Sequence, residues 1–76
     1  MREALSSLPV GCEAVVQGLR GDGPRRRLLA LGFVPGTRVK VLRASPLGDP
    51  RAYLVRGTII ALRREDAALV IVSRGR

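Results

Sequence analysis

RRRLLALGFVPGTRVKVLRASPLGDP, residues 25–50, carries four pieces of local structure in a fixed order. Pro24 is predicted at the first helical position, capped by Gly23 or Asp22, with the helix running to about Leu31. Gly32 then reads as a left-handed terminator that lets Phe33 fold back onto Leu28. Val34-Pro35-Gly36-Thr37 spells a type II turn, in which proline presets one central φ and glycine supplies the positive φ of the next. A strand must follow, and Arg38–Leu42 alternates so that Val39 and Val41 face inward while Arg38 and Lys40 face out. Ser45–Pro50 (SPLGDP) cannot be regular, because Pro46 and Pro50 lack backbone donors and push the preceding residues to extended conformations.

Working outward, Leu5, Leu8 and Val10 form an apolar opening, and Gly11 permits a tight entry into a first strand. Cys12, Ala14 and Val16 share one face of that strand and Glu13, Val15 and Gln17 the other, with Gly18 marking a bulge or bend. After the loop, Arg51–Val55 alternates again, with Ala52 and Leu54 on one side and Tyr53 and Val55 on the other. Gly57 separates it from a strand at Thr58–Leu62. Arg63–Ala67 reads as one helical or 3₁₀ turn, Leu69–Val72 as a closing strand, and Ser73–Arg76 as a frayed basic tail. Five short strands with turn signals every 8 to 12 residues or so predict an all-β chain, built as a small antiparallel barrel or sandwich with one short helix after the first strand.

A chain of 76 residues makes one domain, residues 1–76, with a thin core. Apolar residues are 46% and charged residues 26%, a globular balance. The single cysteine and the absence of histidine point to a reducing compartment, with the cytoplasm as the default. No secretory leader and no run of about 20 apolar residues is visible. The net charge of +8 favours acidic proteins, phosphates or an anionic membrane surface, although scattered arginines also make an ordinary solvated face.

The same inventory argues against catalysis. With no histidine and six scattered acids, no base is placed to activate Cys12, and the adjacent Glu65 and Asp66 point different ways on a helical turn. No cofactor is expected. Transition metals want clustered imidazole, thiolate or carboxylate, and one cysteine is not a site; Cys12 reads as a small core hydrophobe beside Ala14 and Val16. Self-association, which could bring several copies of Cys12 or Asp49 together, is left open.

What remains are candidate recognition residues. Arg25, Arg26 and Arg27 crowd the positive end of a helix dipole, where an acidic partner would relieve them or solvent would disperse them. Leu29 lies on their side of the helix, away from Leu28 and Leu31, as either a docking point or an isolated surface leucine. Leu47 caps a loop stiffened by prolines, and Tyr53 could line a cleft or simply pack at the edge of the fold. Nucleic acid is the rival partner, since a basic small barrel is a familiar scaffold for it, but Phe33 and Tyr53 supply too few aromatics for stacking.

RRLLALG, FVPGT, VKVLRASPLGDP and VRGTIIALRREDAALVIV, in that order, resemble a domain of the FeoA family from about Leu5 to Val72. The resemblance implies an SH3-like barrel and a cytosolic accessory of ferrous-iron uptake. Its expected partner is FeoB, a membrane ferrous-iron transporter with a cytoplasmic G-protein domain, which would bring the chain to the inner face of the membrane. Arg27, Leu29, Leu47 and Tyr53 are the positions matching the family pattern or flanking it that folding alone leaves available for contact. Transition-metal binding is implied by the resemblance only, and the module also occurs as a C-terminal domain of iron-dependent repressors.

Overall fold

Val39 and Val41 are fully buried and Arg38 is exposed, as their alternation dictates. They belong to a strand, β3, that spans Arg38–Ala44 in the computed structural model, which describes residues 1–74. Its neighbours are β2 (Glu13–Leu19) and β4 (Arg51–Val55), both antiparallel to it. β5 (Thr58–Leu62) pairs with β4, and β6 (Val70–Ser73) pairs with β2. A further strand, β1 (Arg2–Ala4), pairs with β6 in the register Arg2 to Ser73. The sheet order is therefore β1-β6-β2-β3-β4-β5.

That order corrects the expected barrel. The sheet has six strands and is open, with β1 and β5 as its two edges at opposite ends. Closure would require β5 to pair with β1, but β1 is three residues long and is paired to β6. Two irregularities bend the sheet around its core: one in β2 between Val16 and Gly18, where the glycine announced a bulge, and one in β3 between Val41 and Arg43. Helical pieces cover the buried face that a seam would otherwise have sealed. They are a 3₁₀ turn at Leu5–Ser7, helix α1 (Arg25–Leu31) and helix α2 (Arg64–Ala67). Each contributes to one cluster, through Leu5, Leu28 and Ala67, together with Val16, Phe33, Tyr53, Val55, Leu62, Val70 and Val72. None of these helices is long and apolar enough to cross a membrane.

Helix α1 ends as its glycine foretells. Gly32 adopts φ 114°, its N–H bonds the Leu29 carbonyl at 3.0 Å and the Phe33 N–H bonds the Leu28 carbonyl at 3.1 Å, the paired bonds of a Schellman cap. Pro24 stands one position earlier than expected, flanking the helix as its N-cap with no side-chain cap bond. The type II turn closes through the Thr37 N–H and the Val34 carbonyl at 3.0 Å. It docks on β2 by two further bonds of 2.8 Å, Gly36 N–H to Val16 and Val16 N–H to Thr37. At the other end of the chain, Ser73 is the last residue of β6 and Arg74 holds Glu3 with two hydrogen bonds of 2.7 and 3.2 Å, so the expected frayed tail is docked as far as Arg74. Residues 75–76 of that expected tail lie outside the described residues.

Candidate partner-binding site

Local sequence separates the candidate residues into two surfaces. At the start of α1, the exposed Arg25 and Arg26 and the half-buried Leu29 line an open cleft of about 330 Å³ with Asp22. Leu29 is turned there because Leu28 takes the core position and Leu31 packs against the cluster. Arg25 reaches the Leu19 carbonyl at 3.5 Å. Arg27 is already satisfied within the chain, donating to Asp66 Oδ2 at 2.9 Å.

The second surface is the Ser45–Pro50 loop. Gly48, at φ 91°, closes a turn by donating its N–H to the Ser45 carbonyl at 2.8 Å, which lifts Leu47 to 94% exposure. Beneath it lies a cleft of about 270 Å³ lined by Ser6, Val10, Gly48, Asp49, Arg51, Tyr53 and Arg64, among others. Tyr53 is only 1% exposed, so its ring belongs to the core and is withdrawn from partners; only its cleft-lining position survives from the sequence reading. The alternation that put Tyr53 opposite Ala52 and Leu54 was right, but which face is inner depends on the sheet curling toward the helices.

Arg51 is the residue that sequence reasoning missed here. Its guanidinium is partly buried and donates to the carbonyls of Leu8, Leu5 and Ser6 at 2.7, 3.1 and 3.3 Å, while Nε donates to the Tyr53 hydroxyl at 3.1 Å. Those carbonyls belong to the 3₁₀ turn and its C-cap, where Leu5 also accepts from the Leu8 N–H at 3.1 Å, and a planar fork of donors suits three acceptors at once. No local pattern announces this, since the partners lie more than 40 residues away in sequence.

Helix α2 joins the two surfaces. Its first residue, Arg64, donates its backbone N–H to Asp49 Oδ1 of the loop at 2.8 Å, and its Asp66 accepts the Arg27 bond from α1. Arg63 in the N-cap position offers no capping oxygen, so Asp49 supplies one from a distant loop. That vacancy was the readable signal: a helical turn beginning RRED lacks a Ser, Thr, Asp or Asn before it and wants a cap from elsewhere. Cys12 sits half-buried against the core, near the place its alternation assigned.

Residues 3–74 match the family model described as the FeoA domain. A stretch of a Porphyromonas gingivalis protein named as a fusion of Fe(2+) transport protein A and the Fe(2+) transporter FeoB is 42% identical over 90% of this chain. The match spans only 8% of that fusion protein's length. Among solved structures, a FeoA protein from Chlorobium tepidum is 39% identical, covering 93% of this chain and 69% of its own, with a TM-score of 0.85. A FeoA from Stenotrophomonas maltophilia, solved with zinc and described as an SH3 domain protein, is 37% identical over 92% of this chain and 88% of its own, with a TM-score of 0.82.

Proposed function

Because the chain belongs to the FeoA family, we propose that it is a small cytosolic accessory of ferrous-iron uptake that works by contact with the cytoplasmic part of a FeoB-type transporter. The observation that carries this reading is the Porphyromonas gingivalis relative, in which a homologous stretch and the transporter are one polypeptide. Fusion keeps two partners at high effective concentration, which suits a contact function and gives a catalytic one no advantage.

The contact surfaces we assign are the α1 cleft, with Arg25, Arg26 and Leu29, and the tip of the loop at Leu47. Arg27 and Asp49 position these surfaces through α2 rather than meeting the partner. An exposed leucine on a turn held by internal bonds loses little entropy on docking, and arginines around a half-buried leucine suit an acidic rim with an apolar centre. Zinc is not carried over from the Stenotrophomonas relative, because the chain has no histidine and the described residues gather no three of Cys, Asp and Glu.

The rival nucleic-acid reading loses support in the structure. Phe33 and Tyr53 are 0% and 1% exposed, so neither aromatic ring is available to stack on a base. Calorimetric titration of the full chain against the isolated cytoplasmic domain of the transporter tests the proposal. Saturable binding at about 50 mM salt is expected, where surface charges act over roughly 14 Å. Leu47→Asp and Arg26→Glu should each weaken it about ten-fold or more, as loss of a contact worth 1.4 kcal/mol would. No binding at low salt overturns it.

A further inference from the structure

The opening of the sheet exposes a strand that nothing in the chain covers. β5 follows a two-residue turn, Arg56-Gly57, with both φ values positive at 52° and 78°. In such a hairpin the flanking residues, here Val55 and Thr58, exchange both backbone bonds. Thr58, Ile60 and Leu62 therefore bond to β4, and Ile59 and Ala61 turn their N–H and C=O groups outward. Among the described residues these outward groups meet no other backbone partner.

Natural sheets blunt free edges with Lys, Pro, bulges or very short strands. The β1 edge follows that rule with three residues. β5 does not: TIIAL is five residues long and holds no charge and no proline, and its register with β4 is unbroken. Its outer face places Ile59 opposite Leu54 and Ala61 opposite Ala52, and Ile59 is 57% exposed. Charge decides what such an edge accepts. Arg56 precedes the strand, Arg63 and Arg64 follow it, all three are exposed, and none pairs with a carboxylate among the described residues. A second copy adding antiparallel about Ile60 would bring Arg56 of one molecule against Arg64 of the other, a like-charge contact on chains that already carry +8 each.

We propose that the β5 edge is a strand-addition site for an extended acidic segment of a partner protein, with backbone bonds at Ile59 and Ala61 and carboxylates reaching Arg56, Arg63 and Arg64. Main-chain bonding gives such sites affinity, and side-chain pairing along the outer face and at the ends gives them selectivity. The site borders the loop surface at Arg64, which also lines the cleft there, but its test contains no transporter and reads Ile59 and Ala61 alone, so it stands or falls separately from the reading above.

The probe is an acetylated and amidated decapeptide alternating glutamate with valine, added to the isotope-labelled full chain and followed by amide hydrogen exchange. In the free protein the Ile59 and Ala61 amides should exchange rapidly. Saturating peptide should slow both by about ten-fold or more, because a new ladder removes them from water. Methylating alternate peptide nitrogens, which leaves the protein unaltered, should abolish that protection, and Ala61→Pro should do the same by removing an outward donor. A lysine-valine peptide should not bind. The proposal fails if the methylated or lysine peptide protects equally, or if protection spreads elsewhere and spares Ile59 and Ala61. It also fails if a single-stranded RNA oligomer displaces the glutamate peptide from a shared basic patch, or if both amides are already slow in the free protein and sedimentation shows a dimer.

Discussion

Gly32 is held by two constraints at once. Its φ of 114° is available to glycine at no steric cost, and a Cβ built there would lie 3.2 Å from Arg56 Cδ and 3.6 Å from a Val55 methyl. The arginine stem can swing away, while the backbone angle cannot be relieved without undoing the helix cap. Gly32→Ala should therefore lower unfolding free energy by about 1–3 kcal/mol, read from the urea midpoint at constant m-value. Arg51 presents the opposite case, a long side chain whose whole length is used. Arg51→Lys keeps the charge but cannot reach three carbonyls and a hydroxyl together, so it should cost about 1.5–3 kcal/mol and destabilise nearly as much as Arg51→Met. A lysine variant as stable as the parent in urea titrations would sink that account. Glu3 supplies the pH-dependent contact. Its carboxyl is held below the ordinary glutamate range chiefly by the hydrogen bond from Arg74, which outweighs the opposing effect of desolvation, with the Arg74 charge and the N-terminus adding less. A lowered folded value means the contact contributes stability above the unfolded glutamate pKa of about 4.3 and loses it as pH falls through the folded value. The Glu3 carboxyl carbon should titrate below that figure by NMR, and Glu3→Gln should remove this part of the acid sensitivity of melting.

Among the elements, α2 depends most on a contact made far away in sequence. Asp49→Ala removes the oxygen that caps it and should destabilise the fold by about 0.5–2 kcal/mol. Faster amide exchange at Arg64 should accompany the loss, with the ladder of β2 and β3 unchanged. The contrast between these elements explains what the residues alone disclose. β3, the type II turn and the α1 terminus are written in alternation and in two glycines, which act within a few residues of themselves. Strand β1 escapes notice because Arg2-Glu3-Ala4 has no apolar alternation and exists only as β6's neighbour. The open edge escapes for a related reason: counting strands fixes how many there are, whereas closure depends on which edges meet. Tyr53 and Arg51 lie on the same strand, and their roles follow from where the 3₁₀ turn comes to rest, which no short window encodes.

For the whole molecule, the large positive charge is carried by arginines and the lone Lys40, with no histidine. Its sign is thus fixed between about pH 5 and 8, where histidine is the only side chain that titrates unperturbed. The α1 cleft and the loop lie on different elements yet are tied to one four-residue helix, Arg27 to Asp66 and Asp49 to Arg64. Arg27→Ala alone should cost no more than about 1 kcal/mol, as exposed ion pairs do. Combined with Asp49→Ala, its cost should depart from additivity by about 0.5 kcal/mol or more, because the first change already loosens the helix that the second releases. Simple addition in a double-mutant cycle would show the two contacts to be independent. So short a fulcrum has no slack of its own, and if the two contacts prove coupled, a disturbance at one end of α2 should be felt at the other.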